Sequence, residues 1–137
     1  MLPQIPLIPK VLISDFLSHN HLPLGLPDLK QYEIRSLLEL AGKHVKKAEE
    51  YAEKGVTDIA TAKLIYNRLV EIDEFFSKQA VVSETGLYQF KLVIIYFIQE
   101  EDDESDFTSV VGFDDDAEIL NLFIKSLNSS IKPIILS

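Results

Sequence analysis

The fold class turns on residues 87–98, LYQFKLVIIYFI. Apart from Gln89 and Lys91 this run is apolar almost all round, and β-branched and aromatic residues crowd Leu92–Ile98. Periodicity alone therefore leaves a buried helix and a buried strand open. No strand is evident elsewhere in the chain, so the run is read as a helix. A turn is expected just before it at Ser83–Gly86, and Gln99 and a series of acids follow it at once.

Residues 99–118, QEEDDESDFTSVVGFDDDAE, hold ten acidic residues and no lysine or arginine. The whole chain has 22 acidic and 13 basic residues, and without this segment the balance is 12 to 13, so the net charge of −9 is a local feature. A second apolar stretch, ILNLFI at Ile119–Ile124, follows. The acidity therefore sits at one helix-to-helix connection. Asp115 as N-cap with Glu118 three residues later has capping-box spacing, and acids at 114–116 suit the positive end of a helix expected to reach Leu127 or Asn128.

Upstream, Ile34, Leu37, Leu38, Ala41, Val45, Ala48 and Ala52 recur at three- and four-residue steps, which predicts one long amphipathic helix over Leu29–Lys54. Asp28 is its expected N-cap and Gly55 its stop. Lys43, Lys46 and Lys47 are flanked by glutamates, with Glu39 four residues before Lys43 and Glu50 four before Lys54, so this face reads as solvated and ion-paired, not as a nucleic-acid patch. Ile59, Ala62, Ile65, Leu69, Ile72 and Phe76 predict a second helix, capped by Thr57 or Asp58 and ending near Phe76 or Lys78. Prolines at 3, 6 and 9 favour an extended arm, Lys10–Ser18 suits a short helix, and His19–Pro27 reads as a loop. The organisation is a proline-rich arm over 1–27, a helical domain over 28–128 and a tail over 129–137. The expected fold is all-α, a compact domain of four to five helices with a C-terminal helical hairpin around the acidic connection.

A chain of 137 residues is long enough for one core, and 47% hydrophobic with 26% charged residues is a globular composition. The absence of cysteine excludes disulfides, thiolate zinc and thiol catalysis, and leans towards a reducing, cytoplasmic setting. Met1–Ile8 lacks the basic start of a secretory signal and is read as mature sequence. No stretch approaches the roughly 20 apolar residues of a membrane span, and net negative charge repels phosphate backbones. No transmembrane segment and no nucleic-acid partner are expected. No nucleophile elbow, phosphate-binding glycine loop or zinc-protease motif is present, so an enzyme is not expected. His19 and His21 flank Asn20 in the loop and His44 lies among lysines, where surface or capping roles outweigh metal ligation.

Read without a gap, residues 96–117, YFIQEEDDESDFTSVVGFDDDA, resemble the signature of the YkvA-like family, a domain of unknown function. Tyr96, Asp102, Asp106, Phe107, Val111, Gly112, Phe113, Asp115 and Asp116 fall on matching positions. The family's three prolines would fall at Glu100, Ser105 and Ser109, and its serine at Gln99, so this chain is more acidic and less rigid there. The resemblance implies an α-helical domain with a structured acidic connection, and no activity.

The connection admits several roles. In the first, its residues are structural: Asp102 and Asp106 tie down turns, Gly112 takes a positive φ, Asp115 and Glu118 cap the last helix, and Tyr96, Phe107 and Phe113 fill the core beneath. In the second, Asp102, Asp106, Asp115 and Asp116 hold a hard divalent cation, Mg²⁺ or Ca²⁺, either structural or supporting hydrolysis. The calcium-loop pattern from Asp102 fails, with Phe107 at its sixth position and Phe113 at its twelfth. In the third, Glu100, Glu101, Asp103 and Glu104 dock a basic protein partner, as an adaptor, immunity protein or antitoxin would. The structural role is the preferred reading of the four aspartates, and docking is the leading functional expectation. Peripheral membrane attachment through the apolar arm is a further alternative, and Leu92–Ile98 also suits the surface of a homo-oligomer.

Overall fold

The computed structural model describes residues 6–19, 25–52, 59–99, 113–127 and 129–135. They form five helices, α1 (Lys10–His19), α2 (Ile34–Ala52), α3 (Ile59–Ser77), α4 (Glu84–Ile98) and α5 (Asp114–Ser126), and no strand occurs among them. The fold is all-α, as expected. No described helix is long and apolar enough to cross a membrane.

The ambiguous apolar run is the innermost helix. Leu92, Val93, Ile94, Ile95, Tyr96 and Phe97 are six successive buried residues, which requires cover on every side of α4. That cover comes from α1, α2 and α5, with Phe76 of α3 reaching Phe90 at 5.4 Å between ring centroids. A helix enclosed all round has no polar face, which is why its periodicity was uninformative. The same enclosure overturns the inter-subunit role for Leu92–Ile98, because all but half-buried Ile98 are consumed inside the chain. Ring contacts pair Phe90 with Phe123 and Phe97 with Phe113, so α4 and α5 run antiparallel.

The other helices follow their stripes. Leu37, Ala41, Val45 and Ala48 of α2 and Ala62, Ile65, Leu69 and Ile72 of α3 are buried. These two helices pack against each other, and a Cβ on Gly42 would lie 3.4 Å from the Tyr66 hydroxyl. Part of the proline-rich arm also joins this core: Ile8, Ile13, Phe16 and Leu17 are buried, and α1 packs on α4 and α5.

Two helix starts ahead of α5 differ from expectation. α2 begins at Ile34 rather than Leu29, because Asp28 Oδ1 accepts the Lys30 N–H at 2.9 Å and Leu29 O accepts the Tyr32 N–H at 3.1 Å, closing a local turn. Buried Leu29 and Tyr32 anchor that turn, and the Tyr88 hydroxyl donates to Pro27 O. α4 begins within the expected turn, since Ser83 caps it by accepting the Gly86 N–H on Oγ at 2.9 Å. The expected stop at Gly55 and the caps at Thr57 and Asp58 lie outside the described residues.

The rings of Phe90 and Phe123 stack at 5.9 Å with an interplanar angle of 11°, and Phe76 contacts both. Phe123→Ala should lower the unfolding free energy by about 3–5 kcal/mol in urea titration. Val81→Ala, at a position 85% exposed, should stay within about 0.5 kcal/mol of the parent.

Candidate functional site

The chain leaves the described residues after Gln99 and re-enters at Phe113. Both points belong to one end of the α4–α5 pair. Phe97 and Phe113 lie 5.8 Å apart between ring centroids, and His44 of α2 meets them edge-on at 5.1 and 6.0 Å. His44 is buried, which corrects its reading as a surface residue. It stands three residues after Ala41 and four before Ala48, on the buried stripe, and that spacing was the signal that its lysine neighbours obscured.

The start of α5 departs from the capping-box reading. Phe113 occupies the N-cap position, with no side-chain cap hydrogen bond, and Phe113 O accepts the Ala117 N–H at 3.0 Å. The buried Phe113 ring fixes where the chain enters the helix, so Asp115 falls inside the first turn instead of before it. Asp114, Asp115 and Asp116 then all lie at the positive helix end, which stabilises carboxylates there.

Asp115 and Glu118, one turn apart, share a partner that no local spacing indicates. Lys10 Nζ at the start of α1 lies 2.7 Å from Asp115 Oδ1 and 2.7 Å from Glu118 Oε2. Partial burial alone would lower the Lys10 pKa, but the hydrogen bonds and charges of Asp115 and Glu118 outweigh it and raise the pKa above its ordinary value. The Asp115 and Glu118 side chains are 63% and 53% exposed, so the pairing is worth under about 1 kcal/mol. Asp116, by contrast, is buried and partnered.

Of the four aspartates considered for a cation, Asp115 is engaged by Lys10, Asp116 lies in the interior, and Asp102 and Asp106 lie outside the described residues. No cluster of three or more potential metal ligands occurs among the described residues. Glu100, Glu101, Asp103, Glu104, Phe107 and Gly112 also lie outside them, as does His21. Tyr96 and Phe113 are buried, as a core role requires. His19 Nδ1 lies 3.2 Å from Asp15 O at the end of α1.

Two side-chain amides complete this region. Gln99 Oε1 accepts the Ile8 N–H at 3.0 Å, and Gln99 Nε2 donates to Ile8 O at 3.1 Å. Asn121 treats Ile134 the same way, accepting its N–H at 2.7 Å and donating to its carbonyl at 2.8 Å. Each amide satisfies both backbone groups of one buried isoleucine outside the helices. Beside Lys10 a groove of about 800 Å³ runs between α1, α5 and the C-terminal segment, lined by Ser14, Glu118, Leu122, Lys125 and Ile131. The Ser14 hydroxyl there donates to Lys10 O at 3.0 Å.

No family model, no curated protein and no solved structure matches this chain.

The pH response follows from two groups. Burial raises the Tyr88 pKa, with a further contribution from Asp28, and Lys10 is raised by its carboxylates. A raised folded pKa means stabilisation that is complete below the unfolded values, 10.0 for Tyr88 and 10.5 for Lys10, and lost as pH rises through the folded ones. Urea midpoints should fall between about pH 9 and pH 11, and less steeply in the Lys10→Met and Tyr88→Phe variants.

Proposed function

We propose that this chain is a non-enzymatic interaction domain that docks a basic protein surface through the acids gathered at the α4–α5 end, in the manner of an adaptor, immunity protein or antitoxin. The placement of charge carries this reading. Ten acids fall within residues 99–118, and the aromatic residues flanking the connection, Phe97 and Phe113, touch each other in the core. Six of these acids, at 100–104 and 106, lie in the sequence between those two rings. Single-sign charge concentrated in this way steers an oppositely charged partner and selects against acidic ones. We place the chain in the cytoplasm on its lack of cysteine.

Two observations favour docking over the alternatives. Lys10 supplies a positive charge to Asp115, one of the four aspartates that a Mg²⁺ or Ca²⁺ site would use. Ile8, at the end of the apolar arm that membrane attachment would use, is buried and tied to Gln99. The likeness to the YkvA-like signature supports the helix–connection–helix unit as the shared part and supplies no activity.

Calorimetry with a decalysine peptide tests the reading. Affinity should fall at least about tenfold between roughly 50 and 300 mM salt, as screening of exposed charges requires. Neutralising Glu100, Glu101, Asp103 and Glu104 to glutamine or asparagine should remove most of it. Affinity indifferent to both changes would contradict docking. A cation-specific rise in melting temperature that Asp106→Asn/Asp115→Asn abolishes would support the metal reading instead.

A further inference from the structure

We propose that residues 8–10 form a strap that latches the two flanks of the acidic connection and occupies carboxylates a basic partner would use, an inference that rests on the docking reading above. The near flank is Gln99, the residue immediately before 100–112, whose amide holds the Ile8 N–H at 3.0 Å and the Ile8 carbonyl at 3.1 Å. The far flank is the first turn of α5, where Asp115 and Glu118 each hold Lys10 Nζ at 2.7 Å. Three consecutive residues therefore bridge positions 99 and 115. Pro9 between them has its φ fixed by its ring, and its carbonyl accepts the Leu12 N–H at 3.2 Å in the first turn of α1, which sets the spacing of the two attachments.

The two halves of the strap respond differently to the surroundings. The Gln99–Ile8 bonds are neutral and buried, and salt hardly alters them. The Lys10 pairs are exposed and charged, and salt or a competing ammonium group weakens them. Release therefore begins at Lys10 and leaves Asp115 and Glu118 open to a lysine or arginine of the partner. The strap is a built-in competitor for that cation, and binding of a basic partner loosens the arm.

The test compares Lys10→Met with Lys78→Met, which removes the same charge from an exposed position at the end of α3. Calorimetry with decalysine should show Lys10→Met binding about two- to fivefold tighter than Lys78→Met, the range open to an exposed pair. Amide exchange followed by NMR should show the Ile8 N–H exchanging severalfold faster in Lys10→Met than in the parent protein. Measurable but equal affinities of the two variants, or unchanged exchange at Ile8, would overturn the strap. If decalysine binds no form of the protein, the docking reading fails. Exchange at Ile8 then decides the latch alone, with faster exchange supporting it and unchanged exchange overturning it.

Discussion

Enclosure of α4 is the constraint on which the rest of the structure depends. Six successive buried residues, Leu92–Phe97, cannot be covered by one neighbour, because consecutive positions on a helix point in all directions around its axis. α1, α2 and α5 must each take a side, and α3 reaches the helix through Phe76 while packing on α2 and α5. The aromatic rings of Phe76, Phe90 and Phe123 form a joint near the middle of α4, and His44, Phe97 and Phe113 form another where the acidic connection begins and ends.

The second constraint is the backbone. Extended segments packed on helices have no ladder partner for their N–H and C=O groups, and burying those groups unsatisfied is costly. Gln99 and Asn121 resolve this by pairing with both groups of Ile8 and Ile134, and Arg68 Nε adds a bond to Lys132 O at 2.8 Å. The chain on both sides of the helical bundle is thereby tied to its surface. Gln99 also ends α4, as its backbone N–H reaches Ile95 O at 2.9 Å, so one residue stops the central helix and fixes the arm.

The sequence made the helices of α2 and α3 legible because half-buried helices carry a stripe, and the buried positions Leu37, Ala41, Ala48, Ile65 and Leu69 lie on it. It left α4 ambiguous for the opposite reason, since full burial erases the stripe. Helix starts depart from the local pattern where a local competitor intervenes, as at the Asp28 turn, or where a buried ring sets the entry point, as at Phe113 before Asp115. The ties of Gln99 to Ile8 and of Lys10 to Asp115 and Glu118 span 91 residues or more and leave no local pattern. Asp115, Asp116 and Glu118 stand out in the sequence by their charge, but Asp116 is buried, and Asp115 and Glu118 face a lysine that no local spacing places beside them.

Charge and packing are thus separated along the chain. α4 and the buried face of α5 supply the rigid support, and in the sequence the acids run from the end of α4 into the first turns of α5. A rigid support of this kind must open only when the whole domain unfolds. Native-state hydrogen exchange of the α4 amides measures that directly. The account predicts that the amides of Leu92–Phe97 exchange most slowly in the protein, with an opening free energy equal to that of global unfolding. Exchange of these amides ahead of those in α2 and α3, by a local opening, would contradict α4 as the enclosed centre of the fold.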